Sequence, residues 1–425
     1  VIVVPVRKLP VVTVSLVIEA GAVAEPVGQE GLARITARAL LEGTQMRTGD
    51  ALTEGLERLG ASLDADAEWD STSLSMTVLT TRLSEAMGLL GEVVLQPAFP
   101  ERELERLKAE RLSEILQRRA EPRGLADDMF ARFVYAPDSR YAVPEGGSAT
   151  SVSAIDRERA RTFHAARYRA GNTTAIIVGD IGVDDALRAM RSRFDAWPAQ
   201  RSNVAEADDS AALRTRAVHL VEKADAPQSE LRIGHVGIPR AHPDYFAALV
   251  MNMLLGGLFS SRINLNLREA HGYTYGASSA FDWRRQAGPF VVASAVRSDV
   301  TAAAAREVLA EVDRMRSEKV SAEELSLATS YLEGVFPIRY ESTAAIARAL
   351  SAMVVYGLPP DYFDTYRDRV RAVTAPDVLR AAREFLHPEE MQLIAVGDPA
   401  VVREPLDALE LGPLQSYDTE GVQRG

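Results

Sequence analysis

The chain has 425 residues, 47% of them hydrophobic and 25% charged, which is enough for two or three globular domains with ordinary cores. It contains no cysteine, excluding disulfides, thiolate metal sites and cysteine nucleophiles, and its formal charge of −12 argues against nucleic acid, whose binding depends on Lys and Arg displacing phosphate counterions. Basic peptides suit such a field better, and no continuous apolar run reaches bilayer length, candidates such as residues 175–178 and 289–296 being short and bounded by Gly, Pro or charge.

The chain opens at Val1 rather than Met and runs straight into strand-like residues 1–6, as removal of a leader would leave it. Compartment stays open, with the bacterial periplasm favoured over the cytoplasm. Residues 11–19 alternate like a half-buried strand, and residues 31–41 carry Leu32, Ile35 and Ala39 at helical spacing. Leu74, Met76 and Val78 alternate with Ser and Thr as a second strand. Residues 101–119 interleave Glu with Lys and Arg at helical spacing, the pattern of a solvated helix face. Residues 198–215 are polar and lack periodicity, which predicts a linker between domains at 1–200 and 216–425. Beyond it, residues 230–236 and 290–296 read as strands, 245–255 and 301–318 as helices, and Ser321 with Glu324 as a capping box. The polar tail 412–425 is expected to fray.

Several of these patterns recur. Ser153-Ala154-Ile155-Asp156 leads through a helix and a strand to Val178-Gly179-Asp180, and Thr374-Ala375-Pro376-Asp377 leads likewise to Val396-Gly397-Asp398. The caps are 221 positions apart and the glycines 218; Gly60-Ala61-Ser62 and Gly276-Ala277-Ser278 are 216 apart. The chain is therefore read as two copies of one α+β unit, each a mostly antiparallel sheet with helices layered on one face.

The first helix resembles something known. Residues 31–44, from Gly31-Leu32-Ala33 to Gly43-Thr44, resemble the zinc-binding helix of the pitrilysin and mitochondrial processing peptidase family, where an inverted His-x-x-Glu-His motif lies inside that frame. Here the two histidine positions hold Arg34 and Arg38, and the general-base position holds Ala37. A guanidinium has no lone pair for Zn²⁺ and carries its own positive charge, so no metal is expected on this chain. The family's third ligand, a Glu followed eight residues later by Pro, is matched by Glu114 and Pro122; the resemblance places Glu114 near Arg34 and Arg38, as a buried charge-assisted pair in place of the metal.

The resemblance runs along nearly the whole chain. Leu59-Gly60, Leu63-Asp64-Ala65, Pro97, Tyr168, Asn172 and Val178-Gly179-Asp180 match in the first half, with Asp64 standing where the family usually has Asn. In the second half Leu255-Gly256-Gly257, Ser260-Ser261-Arg262, Leu267-Arg268-Glu269, Gly272 and Tyr275 follow the family pattern. In family members the Arg and Tyr of that pattern reach the zinc of a different half or chain, which implies catalytic roles for Arg268 and Tyr275: the phenol as donor to the oxyanion, the guanidinium as grip on a substrate carbonyl. Tyr273 is the competing phenol, and the seven-residue spacing favours Tyr275. None of the six histidines stands three or four residues from another, and Gly256-Gly257 lacks the Lys-Ser/Thr of a phosphate loop, so it reads as a helix end.

The resemblance implies a non-catalytic, substrate-binding subunit of a heterodimeric zinc metallopeptidase, with zinc on a homologous partner and a peptide as substrate, lying extended against a sheet edge. The alternative is a structural subunit with no role in peptide hydrolysis. An independent enzyme finds no motif to support it.

Overall fold

The computed structural model describes residues 1–202 and 215–424; residues 203–214, most of the stretch read as a linker, lie outside the described residues. The described residues form two units that do not follow chain order. The first comprises Val1–Ile115, residues 144–202 and Pro337–Pro360; the second comprises Leu116–Val143, residues 215–336 and residues 361–424. The exchanged helices, Pro122–Val134 and Thr343–Val355, begin 221 positions apart, the same offset as the repeated caps, so they are equivalent elements of the two repeats.

The sheet of the first unit contains β1 (Ile2–Pro5), β2 (Val11–Ile18), β3 (Ser62–Ala67), β4 (Thr72–Leu79) and β5 (Thr173–Gly179) in the order β1-β5-β2-β4-β3. Only β1 and β5 are parallel; the other pairs are antiparallel. Period-two alternation decides what each face meets. Val12, Val14, Leu16 and Ile18 point into the main core with the helices Leu32–Ala39 and Leu83–Leu95. On the other face Val17, Ile176 and Val178 pack under Ala347 of helix Thr343–Val355. That helix leaves an open polar cavity of about 380 Å³ lined by, among others, Ser15, Asp64, Asp66, Ser73, Ser75 and Arg348. At the end of the sheet β3 pairs only with β4, so its outer backbone edge has no strand partner among the described residues.

The second unit contains β6 (Ala217–Glu222), β7 (Gln228–Val236), β8 (Thr274–Phe281), β9 (Pro289–Arg297), β10 (Gln392–Gly397), β11 (Leu414–Tyr417) and β12 (Gln423–Arg424), in the order β12-β11-β6-β10-β7-β9-β8. Its sheet is mixed too: β6 is parallel to β10 and β11, and the remaining pairs are antiparallel. All six residues of β10 are buried, which requires cover on both faces. Helix Pro122–Val134 packs on β7 and β10, while Tyr245–Asn252 and Ala375–Phe385 pack against each other.

One expectation changes. The tail does not fray: β11 joins the sheet beside β6, and Tyr417 packs against Phe133 and His219, a role that four residues cannot announce in sequence. Tyr245–Ala270 is also long and apolar enough by composition to span a membrane. It is not one rod, however, because Leu258 and Ser261 adopt extended backbone in its middle, and a bilayer would leave the polar groups freed by that break unpaired. Most of its apolar side chains are buried in the second unit, as in a core helix.

Candidate functional site

The helix Leu32–Ala39 starts at Gly31, whose φ of +95° suits glycine, and whose missing side chain leaves the first turn without a cap of its own. Glu25 supplies the acceptor instead, taking hydrogen bonds from the backbone N–H of Gly31 at 3.1 Å and of Ala33 at 2.8 Å. Leu32, Ile35, Thr36 and Ala39 turn into the core. Ala37 is fully buried, so the position of the family's general base is a packed methyl group.

Arg34 and Arg38 share the more open face. Arg38 Nη1 lies 3.7 Å from Glu114 Oε1, on the helix Glu101–Ala120, and Arg111 donates to Glu114 Oε2 at 2.9 Å and to the Gly146 carbonyl at 2.9 Å. Burial works against the charged form of Glu114, but the Arg111 hydrogen bond and the charges of Arg111, Arg38 and Arg34 outweigh it and hold the carboxyl below its ordinary range. The pair expected to be buried is not: the side chains of Arg38 and Glu114 are 39% and 40% exposed. The better buried partner is Arg111, at 12%, which the sequence reading missed although its i,i+3 spacing to Glu114 is visible. These residues do not fit zinc. Two guanidiniums and a buried methyl group stand at the ligand and base positions, and the one carboxylate of the four residues is already engaged by arginines. Among the described residues no group of three or more His, Asp or Glu could hold a metal ion.

In the second unit the residues flanking Arg268 and Tyr275 form a braced turn. Two π-helical segments, Met253–Gly257 and Leu265–Ala270, enclose the extended break, and such segments are frequent at functional sites. Gly256, inside the first, has to be glycine because a Cβ there would meet Ser279 N of β8 at 2.4 Å. Asn252 donates to Ser279 O at 3.1 Å, Asn264 Oδ1 accepts from Ala277 N at 3.0 Å, and Arg262 grips Glu324 through bonds of 2.8 and 3.1 Å. Glu324 in turn caps the Ser321 turn as expected.

Arg268 extends from this frame with its guanidinium 4.5 Å from the Phe259 ring centroid and 3.5 Å from Glu269. Tyr275 sits on a β-bulge, where the pairing of β8 with β9 slips between Thr274 and Ala277. The Thr274 hydroxyl pins it, accepting from Gly276 N at 3.0 Å and donating to Ala295 O at 2.6 Å. A bulge turns a side chain out of strand alternation, and Tyr275 is 89% exposed. No hydrogen bond joins Arg268 to Tyr275 among the described residues. Tyr273, by contrast, is fixed by stacking on His271 at 4.9 Å, and His271 lies 3.7 Å from Glu307.

A mixed-sheet duplicated α+β fold with an arginine-substituted metal helix defines a metallopeptidase-like protein that lacks its own metal ligands. Comparison with known proteins agrees: residues 2–137 match the profile described as Insulinase (Peptidase family M16), and residues 154–332 match that described as Peptidase M16 inactive domain. The chain belongs to peptidase family M16, the pitrilysin family. It is similar to the crystal structure of a peptidase M16 inactive domain from Pseudomonas fluorescens, with 28% identity, TM-score 0.88, and 93% of this chain and 95% of that one covered. An uncharacterized zinc protease of Streptomyces coelicolor is 23% identical over 82% of this chain and 76% of its own length. A probable mitochondrial-processing peptidase subunit beta of Arabidopsis thaliana is 22% identical, over 91% of this chain and 74% of its own.

Proposed function

We propose that this chain is the non-catalytic, substrate-binding subunit of a heterodimeric zinc metallopeptidase, and that it supplies Arg268 and Tyr275 to the zinc site of a homologous partner. The observation that carries the reading is an asymmetry. The metal helix has lost both imidazoles and the base, whereas Tyr275 stands free on a pinned bulge and Arg268 is held beside Phe259 within a polar frame. A pure scaffold has no use for an exposed phenol so supported. The partner's metal would supply Lewis acidity; this chain's phenol would donate to the developing oxyanion and its guanidinium would hold a substrate carbonyl. The unpaired edge of β3 offers main-chain hydrogen bonds to an extended peptide.

Purified alone, the chain is expected to carry no stoichiometric zinc and to cleave no peptide. Mixed one to one with a family member whose His-x-x-Glu-His helix is intact, it should form a complex with activity that neither chain shows alone. Full activity of the homologue by itself would return this chain to the structural-subunit reading.

A further inference from the structure

The face of helix Leu32–Ala39 where family members carry their zinc ligands holds more positive charge than it neutralises. Arg34, Arg38 and Arg111 all act on Glu114, the one carboxylate paired with any of the three among the described residues, in a chain whose overall charge is −12. Arg111 is used up on Glu114 and the Gly146 carbonyl. Arg38 makes a long contact of 3.7 Å and is 39% exposed. Arg34 Nε is buried with no hydrogen-bond partner, and no ion pair engages Arg34 among the described residues. Like charges four residues apart disfavour a helix, and a buried N–H without an acceptor costs more than one left in water. One further anion on the exposed guanidinium groups relieves the like-charge repulsion.

The same helix packs against β3, whose outer edge has no strand partner among the described residues. A peptide laid on that edge offers neutral amides along its length and presents a main-chain carboxylate only at its end. Guanidiniums match a carboxylate in shape and charge. We propose that where the family holds zinc this chain holds the C-terminal carboxylate of a peptide lying along β3, bound by Arg34 and Arg38. The inference rests on the extended-peptide part of the function proposed above and needs neither the partner nor its metal.

The test is calorimetric titration of the isolated chain with an N-acetylated alternating alanine–serine hexapeptide in three forms: free carboxylate, C-terminal amide, and amide with one internal glutamate. The free acid should bind roughly tenfold or more tightly than either amide, and the preference should vanish in an Arg34→Gln, Arg38→Gln double variant that melts like the parent. Equal binding of acid and amide by the unaltered chain overturns the inference while leaving the β3 edge as a peptide site. So does a preference that survives the double variant. An internal glutamate that restores full affinity to the amide overturns the assignment to a chain end, and failure of every form to bind overturns the edge reading as well.

Discussion

Helix Leu32–Ala39 and the turn from Leu265 to Tyr275 are the two regions that the family resemblance marks for chemistry, and they are built differently. The helix keeps its packing: Leu32, Ile35 and Ala39 are buried, and Glu25 still caps its first turn. What has changed is the polar face, where arginines meet Glu114. The turn has a polar frame, with Asn252, Asn264, Arg262 and Thr274 bonded into place while Tyr275 is 89% exposed. A scaffold can survive the loss of a metal when the ligands occupied one open stripe of an otherwise buried helix. An exposed side chain on a braced turn adds nothing to the core, and the role proposed for Tyr275 rests on that contrast.

The strongest attack on that contrast is Tyr275→Phe in the reconstituted pair. It deletes a hydroxyl from an exposed ring, so stability and assembly should hold while kcat falls by roughly 10²–10³ and KM barely moves. Tyr273→Phe is the control, expected to be mild because that ring is committed to His271. A near-normal kcat for Tyr275→Phe would erase the asymmetry. Next in size is Arg268→Ala, which should raise KM and lower kcat together, since a guanidinium that holds substrate acts in the ground state and the transition state alike. An effect on kcat alone would place Arg268 on the oxyanion instead.

The loss of the metal site was legible in the sequence because Gly31-Leu32-Ala33 and Gly43-Thr44 frame it, and an arginine cannot pass for a histidine. The support around Tyr275 was not. Thr274 pins the bulge through Ala295, some twenty positions away, and Asn264 meets Ala277 across a turn, so neither bond leaves a local pattern. Arg111 was hidden for the opposite reason. Its helix is full of such spacings, Arg106 alone pairing with Glu103, Glu110 and Glu42, and nothing local marks the one arginine that matters. The repeat was readable from its caps, but the exchange of Pro122–Val134 and Thr343–Val355 was not, since period and burial say nothing about which sheet a helix covers.

A third measurement compares the two units under acid. His164 in the first is bonded to Val94 O at 2.9 Å, His235 in the second to Val236 O at 2.7 Å, and burial pushes each imidazole down to about 4 from an ordinary 6.5. The folded state therefore keeps both neutral while the unfolded chain takes up protons, so stability is complete above pH 6.5 and falls as pH drops toward 4. The loss should be up to about 3 kcal/mol per histidine. Urea unfolding at pH 7, 5.5 and 4.5 should show this slope, and His164→Gln or His235→Gln should each remove a share of it. A slope unchanged in both variants would mean that other groups set the acid limb.

The smallest expected effect concerns Glu114, and it tests whether the altered helix face still contributes to the fold. The carboxyl is held below its ordinary value of 4.5 by the Arg111 hydrogen bond and by the charges of Arg111, Arg38 and Arg34, against the opposing effect of burial. A depressed carboxylate stabilises the folded state above its unfolded pKa, and that contribution disappears as pH falls through the folded value, so the window opens only below about pH 4.5. Because the side chain is 40% exposed, solvent screens the pairs and the contribution should be about 1 kcal/mol or less. Glu114→Gln keeps the shape and removes the charge, so it should destabilise the chain slightly at pH 7 and by less at pH 3, below the carboxyl's ordinary value. Urea midpoints of parent and variant at the two pH values read the difference. If the gap is as large at pH 3 as at pH 7, Glu114 contributes by packing and hydrogen bonding alone, and the arginines around it are not balanced by its charge.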